Sequence, residues 1–154
     1  MVSLVHAQTA EHYECIRMLF LKYAASLDFD LGFQRFDDEL NALPGDYAPP
    51  DGCLILAGDA GQWVGCVALR RLEDDICEMK RLYVLPDFQG RGIGRVLAQA
   101  VITEARTKGY AKMRLDTVES MHAARALYAS LGFCPIEPYR YNPIDGASYM
   151  ELEL

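Results

Sequence analysis

The chain has 154 residues, of which 51% are hydrophobic and 24% charged. That is about one domain of ordinary globular composition, which excludes a disordered or fibrous chain. A formal net charge of −7 argues against nucleic acid or an anionic membrane as the main partner. The charge is unevenly spread: residues 1–79 carry fourteen Asp/Glu against five Lys/Arg, and residues 80–154 carry eight against ten. No apolar run approaches the roughly 18 residues that span a bilayer, and the start, Met1 to Glu14, lacks the basic-then-apolar pattern of a secretion signal. The five cysteines (Cys15, Cys53, Cys66, Cys77 and Cys134) are scattered and contain no C-x-x-C, so neither a disulfide framework nor a zinc site is expected. These features predict a single cytoplasmic domain spanning 1–154, with reduced thiols and no metal.

In chain order, Ser3 to Val5 reads as a short strand and Thr9 as a helix N-cap. Tyr13, Ile16, Leu19, Phe20, Tyr23 and Leu27 then recur at helical spacing. A second short helix fits Phe33 to Leu43 and stops at Pro44-Gly45, and Asp46 to Gly52 is a loop. Cys53 to Ala57, Trp63 to Leu72 and Ile76 to Val84 form a meander of strands separated by turn residues. A glycine-rich turn leads to a helix from Ile93 to about Lys108, stopped by Gly109. Met113 to Thr117 is a strand, and Ser120 is the expected cap of a helix ending at Leu131. Two more extended segments are expected in the tail, around Asn142-Pro143 and Asp145-Gly146. Antiparallel strands followed by alternating strands and helices predict an α/β or α+β sheet with helices on both faces.

The turn Gln89-Gly-Arg-Gly-Ile-Gly94 lies between a strand and a helix, where outward N–H groups and the helix dipole favour phosphate. A nucleotide P-loop needs Lys-Ser/Thr after its glycines, and Arg95-Val96 stands there instead. The dinucleotide fingerprint G-x-G-x-x-G fails at Arg95 in one register and at Leu97 in the other. Gln89-x-x-Gly92-x-Gly94 instead resembles the pyrophosphate loop of the GNAT superfamily of acyl-CoA N-acyltransferases. Ala124-x-x-Leu127-Tyr128-x-x-Leu131-Gly132-Phe133 is similar to that family's second signature, and the first third and the ending Tyr139 to Pro143 look like a subgroup of small bacterial members.

The resemblance implies the GNAT fold: a mixed, mostly antiparallel sheet of six to seven strands, splayed at the cofactor strand. It implies acetyl-CoA as co-substrate, with its pantetheine arm on the backbone of Leu82, Tyr83 and Val84. The pyrophosphate would sit on Gln89, Gly90, Arg91, Gly92, Ile93, Gly94 and Arg95, although Arg91 and Arg95 also read as a solvated helix face. Tyr128 stands where relatives keep an acid for the departing thiolate, and equally where an apolar helix face would bury it. Glu78 stands where protein-acetylating relatives keep a general base, and equally where it would pair with Lys80. Met121 departs from the asparagine common at that point and cannot make its hydrogen bonds.

The expected partner is a small-molecule primary amine. Phe33, Tyr47 and Tyr141 are candidate substrate contacts, and the acidic wall Asp30, Asp37, Asp38 and Glu39 suits a cationic acceptor. Acetylation of a protein or peptide, and acyl-CoA sensing without turnover, are the alternatives; a homodimer is an expectation carried by the resemblance alone.

Overall fold

The computed structural model describes residues 2–27, 29–32 and 35–154. Helix α1 (Ala10–Ser26) begins where its sequence predicts, with the Thr9 hydroxyl accepting from the His12 N–H at 3.1 Å. Helix α2 (Phe36–Ala42) is shorter than expected, because Arg35 takes a left-handed conformation (φ 57°) that a continuous helix does not admit. Strands β1 (Ser3–His6), β2 (Cys53–Asp59), β3 (Gln62–Glu73) and β4 (Ile76–Val84) precede α3 (Ile93–Thr107). Then come β5 (Lys112–Thr117), α4 (His122–Ser130), β6 (Cys134–Ile136) and β7 (Ser148–Glu153). Ser120 does not cap α4: Met121 holds the N-cap position without a side-chain hydrogen bond. The tail strands lie outside the expected turns, and residues 137–147 form a loop between them.

The seven strands form one sheet in the order β1-β2-β3-β4-β5-β7-β6, antiparallel except for β4 against β5. Alternating side chains of β2 supply a core on each face. Cys53, Ile55 and Ala57 pack with Leu97, Val101 and Tyr128 of α3 and α4. Leu54 and Leu56 pack with Ile16, Phe20 and Leu40 of α1 and α2. Helices on both faces and a mostly antiparallel seven-stranded sheet agree with the architecture expected from sequence.

Two departures from regular pairing shape the centre of the sheet. On the β3 side of β4, Cys66 faces Tyr83 and Ala68 faces Lys80, so β4 holds one extra residue. Arg81 carries this bulge at φ 60°. The alternation is thereby reversed: Met79 and Leu82 pack into the α3 core, while Arg81 lies over Phe36 and Tyr23 of the opposite layer. On the other side, the parallel ladder from β4 to β5 covers only Ile76, Cys77 and Glu78 against Lys112, Met113 and Arg114. Beyond Glu78 the two strands diverge, which is the splay expected at this strand.

Candidate active site

A cleft opens in the wedge between β4 and β5. Lys80, Leu82, Asp116, Tyr128 and Met121 line it, together with Tyr23 from the end of α1. Along β4 the backbone groups that face β5 after Glu78 have no strand ladder to join, so they are available to an extended, amide-bearing ligand. Tyr128 belongs both to the core and to the cleft wall. Its ring packs on Phe133 at 5.7 Å within the core, and the residue also forms part of the cleft wall. Burial raises its hydroxyl well above the usual tyrosine range, and the neighbouring Tyr23 and Asp116 add to this. Tyr128 is therefore a neutral O–H donor at every physiological pH.

The glycine turn sits at the mouth of the same wedge. Gly90 (φ 79°) and Gly92 (φ 83°) hold left-handed conformations, and a Cβ at either would meet nothing within 4 Å. Gly92 is the N-cap of α3 and no side chain caps the helix; its first internal bond runs from the Val96 N–H to the Gly92 carbonyl. The N–H groups of Ile93, Gly94 and Arg95 thus precede the ladder, where the helix dipole favours an anion. Gly94 differs from the other two. It is helical, and a Cβ there would make only ordinary contacts at 3.8 Å to Leu127 and 3.9 Å to Val84. The protein's own packing does not demand glycine at this position; close approach of a ligand would.

Arg91 lies exposed over the Phe88 ring at 5.0 Å, and Arg95 donates to the Ser130 hydroxyl at 2.8 Å, tying α3 to α4. Gln89 donates through Nε2 to the Val84 carbonyl at 3.0 Å, which closes the turn against the end of β4. Tyr83 is buried edge-on against Tyr23 at 5.9 Å, so its side chain serves the opposite layer.

Glu78 lies outside the cleft wall and is 0% exposed. Its Oε1 accepts from Arg70 Nε at 2.8 Å, and its Oε2 accepts from the Tyr139 hydroxyl at 2.7 Å and from Arg140. Burial pushes its carboxyl up, but Lys80, Arg140, Arg70 and Tyr139 outweigh it and hold the group below the usual carboxylate range. A carboxylate so engaged is a weak proton acceptor. Lys80 proves to be one of its partners through charge, and Arg70, Tyr139 and Arg140 are the partners that local sequence could not supply.

Of the candidate substrate contacts, Phe33 lies outside the described residues. Tyr47 is 2% exposed and packs edge-on against Phe20 at 6.2 Å, in a separate cavity beside Glu39 and Arg70. Tyr141 is 80% exposed and stands at the rim of a cavity behind Lys80. The acidic wall is dispersed: Glu39 pairs with Arg81, Asp38 pairs with Arg35, Asp30 accepts from the Gly32 N–H at 2.6 Å and Asp37 faces solvent.

No cysteine lines the cleft. Burial pushes the Cys53 and Cys77 thiols up to about 12, away from the thiolate form. Among the described residues, one trio of metal-ligand type, His6, Cys53 and Glu104, lies within 4.8 Å, none of it in the cleft wall. No helix among them is long and apolar enough to cross a membrane.

Sequence reasoning missed Tyr23, Arg81 and Asp116 as cleft residues. The available signal was the pair Lys80-Arg81, two cations in succession within a strand whose other residues, Glu78 aside, are apolar or aromatic.

The Acetyltransferase (GNAT) family model matches residues 11–133. An uncharacterized N-acetyltransferase of Schizosaccharomyces pombe is 37% identical over 155 residues, covering 99% of this chain and 95% of its own. An N-acetylaspartate synthetase of Xenopus tropicalis is 32% identical over 105 residues, which is 68% of this chain and 39% of that protein. Among solved structures, an acetyltransferase of the GNAT family from Staphylococcus aureus superposes with a TM-score of 0.82 at 18% identity, covering 99% of each chain. The PaiA N-acetyltransferase of Thermoplasma acidophilum, in complex with coenzyme A, superposes at 0.76 with 16% identity, covering 100% of this chain and 99% of that one.

Proposed function

The chain belongs to the GNAT family of acetyltransferases and is an acyltransferase, and on that premise we propose that it acetylates a primary amine of a small molecule, with acetyl-CoA as donor, by direct attack in a ternary complex. The observation that carries this reading is the wedge between β4 and β5, with an unladdered strand edge on one side and Tyr128 on the other. The coenzyme A complex of the Thermoplasma neighbour supports the donor. A small acceptor is supported by the name of the Xenopus relative, which specifies a small acetylated amine.

The residues present fit the donor. Gly90, Gly92 and Gly94 leave room for a pyrophosphate against the uncapped start of α3, and Arg91 and Arg95 add charge at the same mouth. The backbone of Leu82, Tyr83 and Val84 offers hydrogen bonds to the pantetheine amides. Acetyl-CoA supplies the acyl group as a reactive thioester. Tyr128 donates its O–H to the departing sulfur; with a tyrosine pKa above that of a thiol, this is stabilisation by a hydrogen bond rather than full transfer of the proton. Asp116, beside Tyr128 in the cleft wall, receives the ammonium form of the acceptor. Glu78 acts as a positioning residue that holds Arg70 and Arg140 in place.

The test is mass-spectrometric detection of an acetylated product from acetyl-CoA and a pooled panel of amino acids, polyamines and short peptides. An acetylated small amine is the expected result. An isolable acyl-enzyme, or failure to bind acetyl-CoA, would overturn direct transfer.

A further inference from the structure

Lys80 is shared between the cleft and a second cavity of about 330 Å³ behind it. Arg35, Arg70, Lys80 and Arg140 meet in that cavity from four separate segments of the chain, with Tyr139 and Tyr141. The carboxylates around it match these cations and Arg81 in number but are unevenly placed. Glu39 lines the cavity but is committed to Arg81, with Oε2 accepting from Nε and Oε1 from Nη2, both at 3.0 Å. Glu78 lies beneath, and one carboxylate there faces Arg70, Arg140 and Lys80 together. Asp38 and Asp46, which approach Arg35 and Arg70, are both mostly exposed and weakened by solvent. Asp116, on the cleft side, is a further acid near Lys80.

The arginines are also held in place. Tyr149 donates to the Arg140 carbonyl at 2.9 Å, and the Arg140 guanidinium lies over the Tyr139 ring at 4.9 Å. Each guanidinium carries five N–H donors, and Glu78 engages Arg70 through Nε and Arg140 through Nη2, so much of each fork remains for another acceptor. Preorganised forks of this kind match a carboxylate.

We propose that this cavity receives a carboxylate of the acceptor, so that the substrate is a primary amine carrying at least one carboxylate, held by Arg70, Lys80 and Arg140. The inference rests on the N-acetyltransferase reading and gives its acceptor a chemical class. It replaces the cationic amine expected from the acidic first half, whose carboxylates are dispersed: Glu39 pairs with Arg81, Asp38 with Arg35, and Asp37 faces solvent. With the carboxylate behind Lys80, the amine end lies toward Asp116 and Tyr128. There the ammonium first gives up one proton to water, the nitrogen–acyl bond forms as the carbon–sulfur bond breaks, and the second proton lost by the nitrogen ends on the departing thiol.

The experiment compares matched acceptors on the full chain: aspartate, its diamide and putrescine, each with acetyl-CoA. The expected result is a kcat/KM at least tenfold higher for aspartate than for the diamide, with that preference collapsing in Arg140→Gln through KM. Arg70→Gln is the second variant, should Arg140→Gln fail to fold. Equal turnover of the diamide or putrescine would overturn the subsite while leaving the acetyltransferase reading intact. Acetylation of no amine would count against that reading alone, and succinate, a dicarboxylate without an amine, then decides the subsite. Calorimetric binding of succinate that weakens tenfold or more in the variants supports it; no binding to the wild-type chain overturns it.

Discussion

The glycine turn and the cavity behind the strand bulge both present positive charge to the wedge, by different means. In the turn, the charge comes from backbone: uncapped N–H groups at the start of α3, with glycines whose conformations keep side chains out of the way. In the cavity it comes from charged side chains, Lys80 buried, Arg70 and Arg140 half-buried and Arg35 exposed, drawn from the approach to α2, β3, β4 and the tail. A backbone site needs only a short, local run of sequence and costs little to solvate. A side-chain site needs long-range assembly, and each buried cation must be answered by a carboxylate, as Arg81 is by Glu39 and Arg70 and Arg140 are by Glu78. The turn should accordingly tolerate substitution with modest losses, and the bulge should not.

The largest expected effect is at the bulge itself. Arg81→Ala removes the bidentate partner of Glu39 and leaves a largely buried carboxylate uncompensated. The cost of breaking a buried pair from one side is about 3 kcal/mol, which for a chain of this size lowers the melting temperature by roughly 10 °C. Thermal unfolding followed by circular dichroism measures it. A change under about 2 °C would mean that Glu39 relaxes to solvent and that the bulge does not depend on the pair.

Next comes Tyr128→Phe, which keeps the ring packed on Phe133 and removes only the hydroxyl. The expected loss is about 10²-fold in kcat, with KM for both substrates and the melting temperature nearly unchanged. A full-rate variant would reduce Tyr128 to its core role.

A smaller effect separates the two anion sites by pH. Burial pulls the Lys80 ammonium down to about 8; Glu78 and Asp116 hold it up, while Arg81 and Arg140 push it further down. Glu78 is held below the usual carboxylate range, and the hydroxyls of Tyr23, Tyr128 and Tyr139 are raised above the usual tyrosine range. Arg70 and Arg81 are raised further still, and Arg35, Glu39 and Arg140 complete the shell. Deprotonating Lys80 removes one positive charge, so anion binding weakens as pH rises through about 8 and takes up a proton there. Both carboxylates of succinate are already ionised at that pH. Its inhibition constant against the amine should rise by up to tenfold from pH 7 to 9, and Lys80→Arg should flatten the profile. A flat profile in the wild-type chain would remove Lys80 from the subsite.

The same contrast explains which parts were legible in the sequence. The glycine turn, the Thr9 cap, the meander and Tyr128 are local features, and the structure keeps their boundaries within a few residues. The reversal of β4 at Arg81 was not legible, because a bulge is decided by the partner strand and by Phe36, Tyr23 and Glu39, all far away in sequence. Glu78 was read with Lys80 alone, since Tyr139 and Arg140 lie more than sixty positions downstream. The acidic first half suggested a cationic ligand because composition counts carboxylates without showing which of them meet an arginine.

Gly94 gives the finest test of the backbone site. In a helix, glycine costs up to about 1 kcal/mol relative to alanine, and a Cβ here meets Leu127 and Val84 only at ordinary contact distance. Gly94→Ala should therefore leave the unfolding midpoint unchanged or slightly raised. If a pyrophosphate approaches this turn, the same methyl group crowds it, and the Kd for acetyl-CoA rises several-fold by calorimetry. Gly92→Ala is the control of opposite sign: at φ 83° the methyl group meets no neighbour, yet the backbone strain costs about 1 kcal/mol of stability. A Gly94→Ala chain that binds acetyl-CoA as tightly as the wild type would show that the ligand keeps its distance from this residue. The glycine would then have no explanation in either the fold or the site.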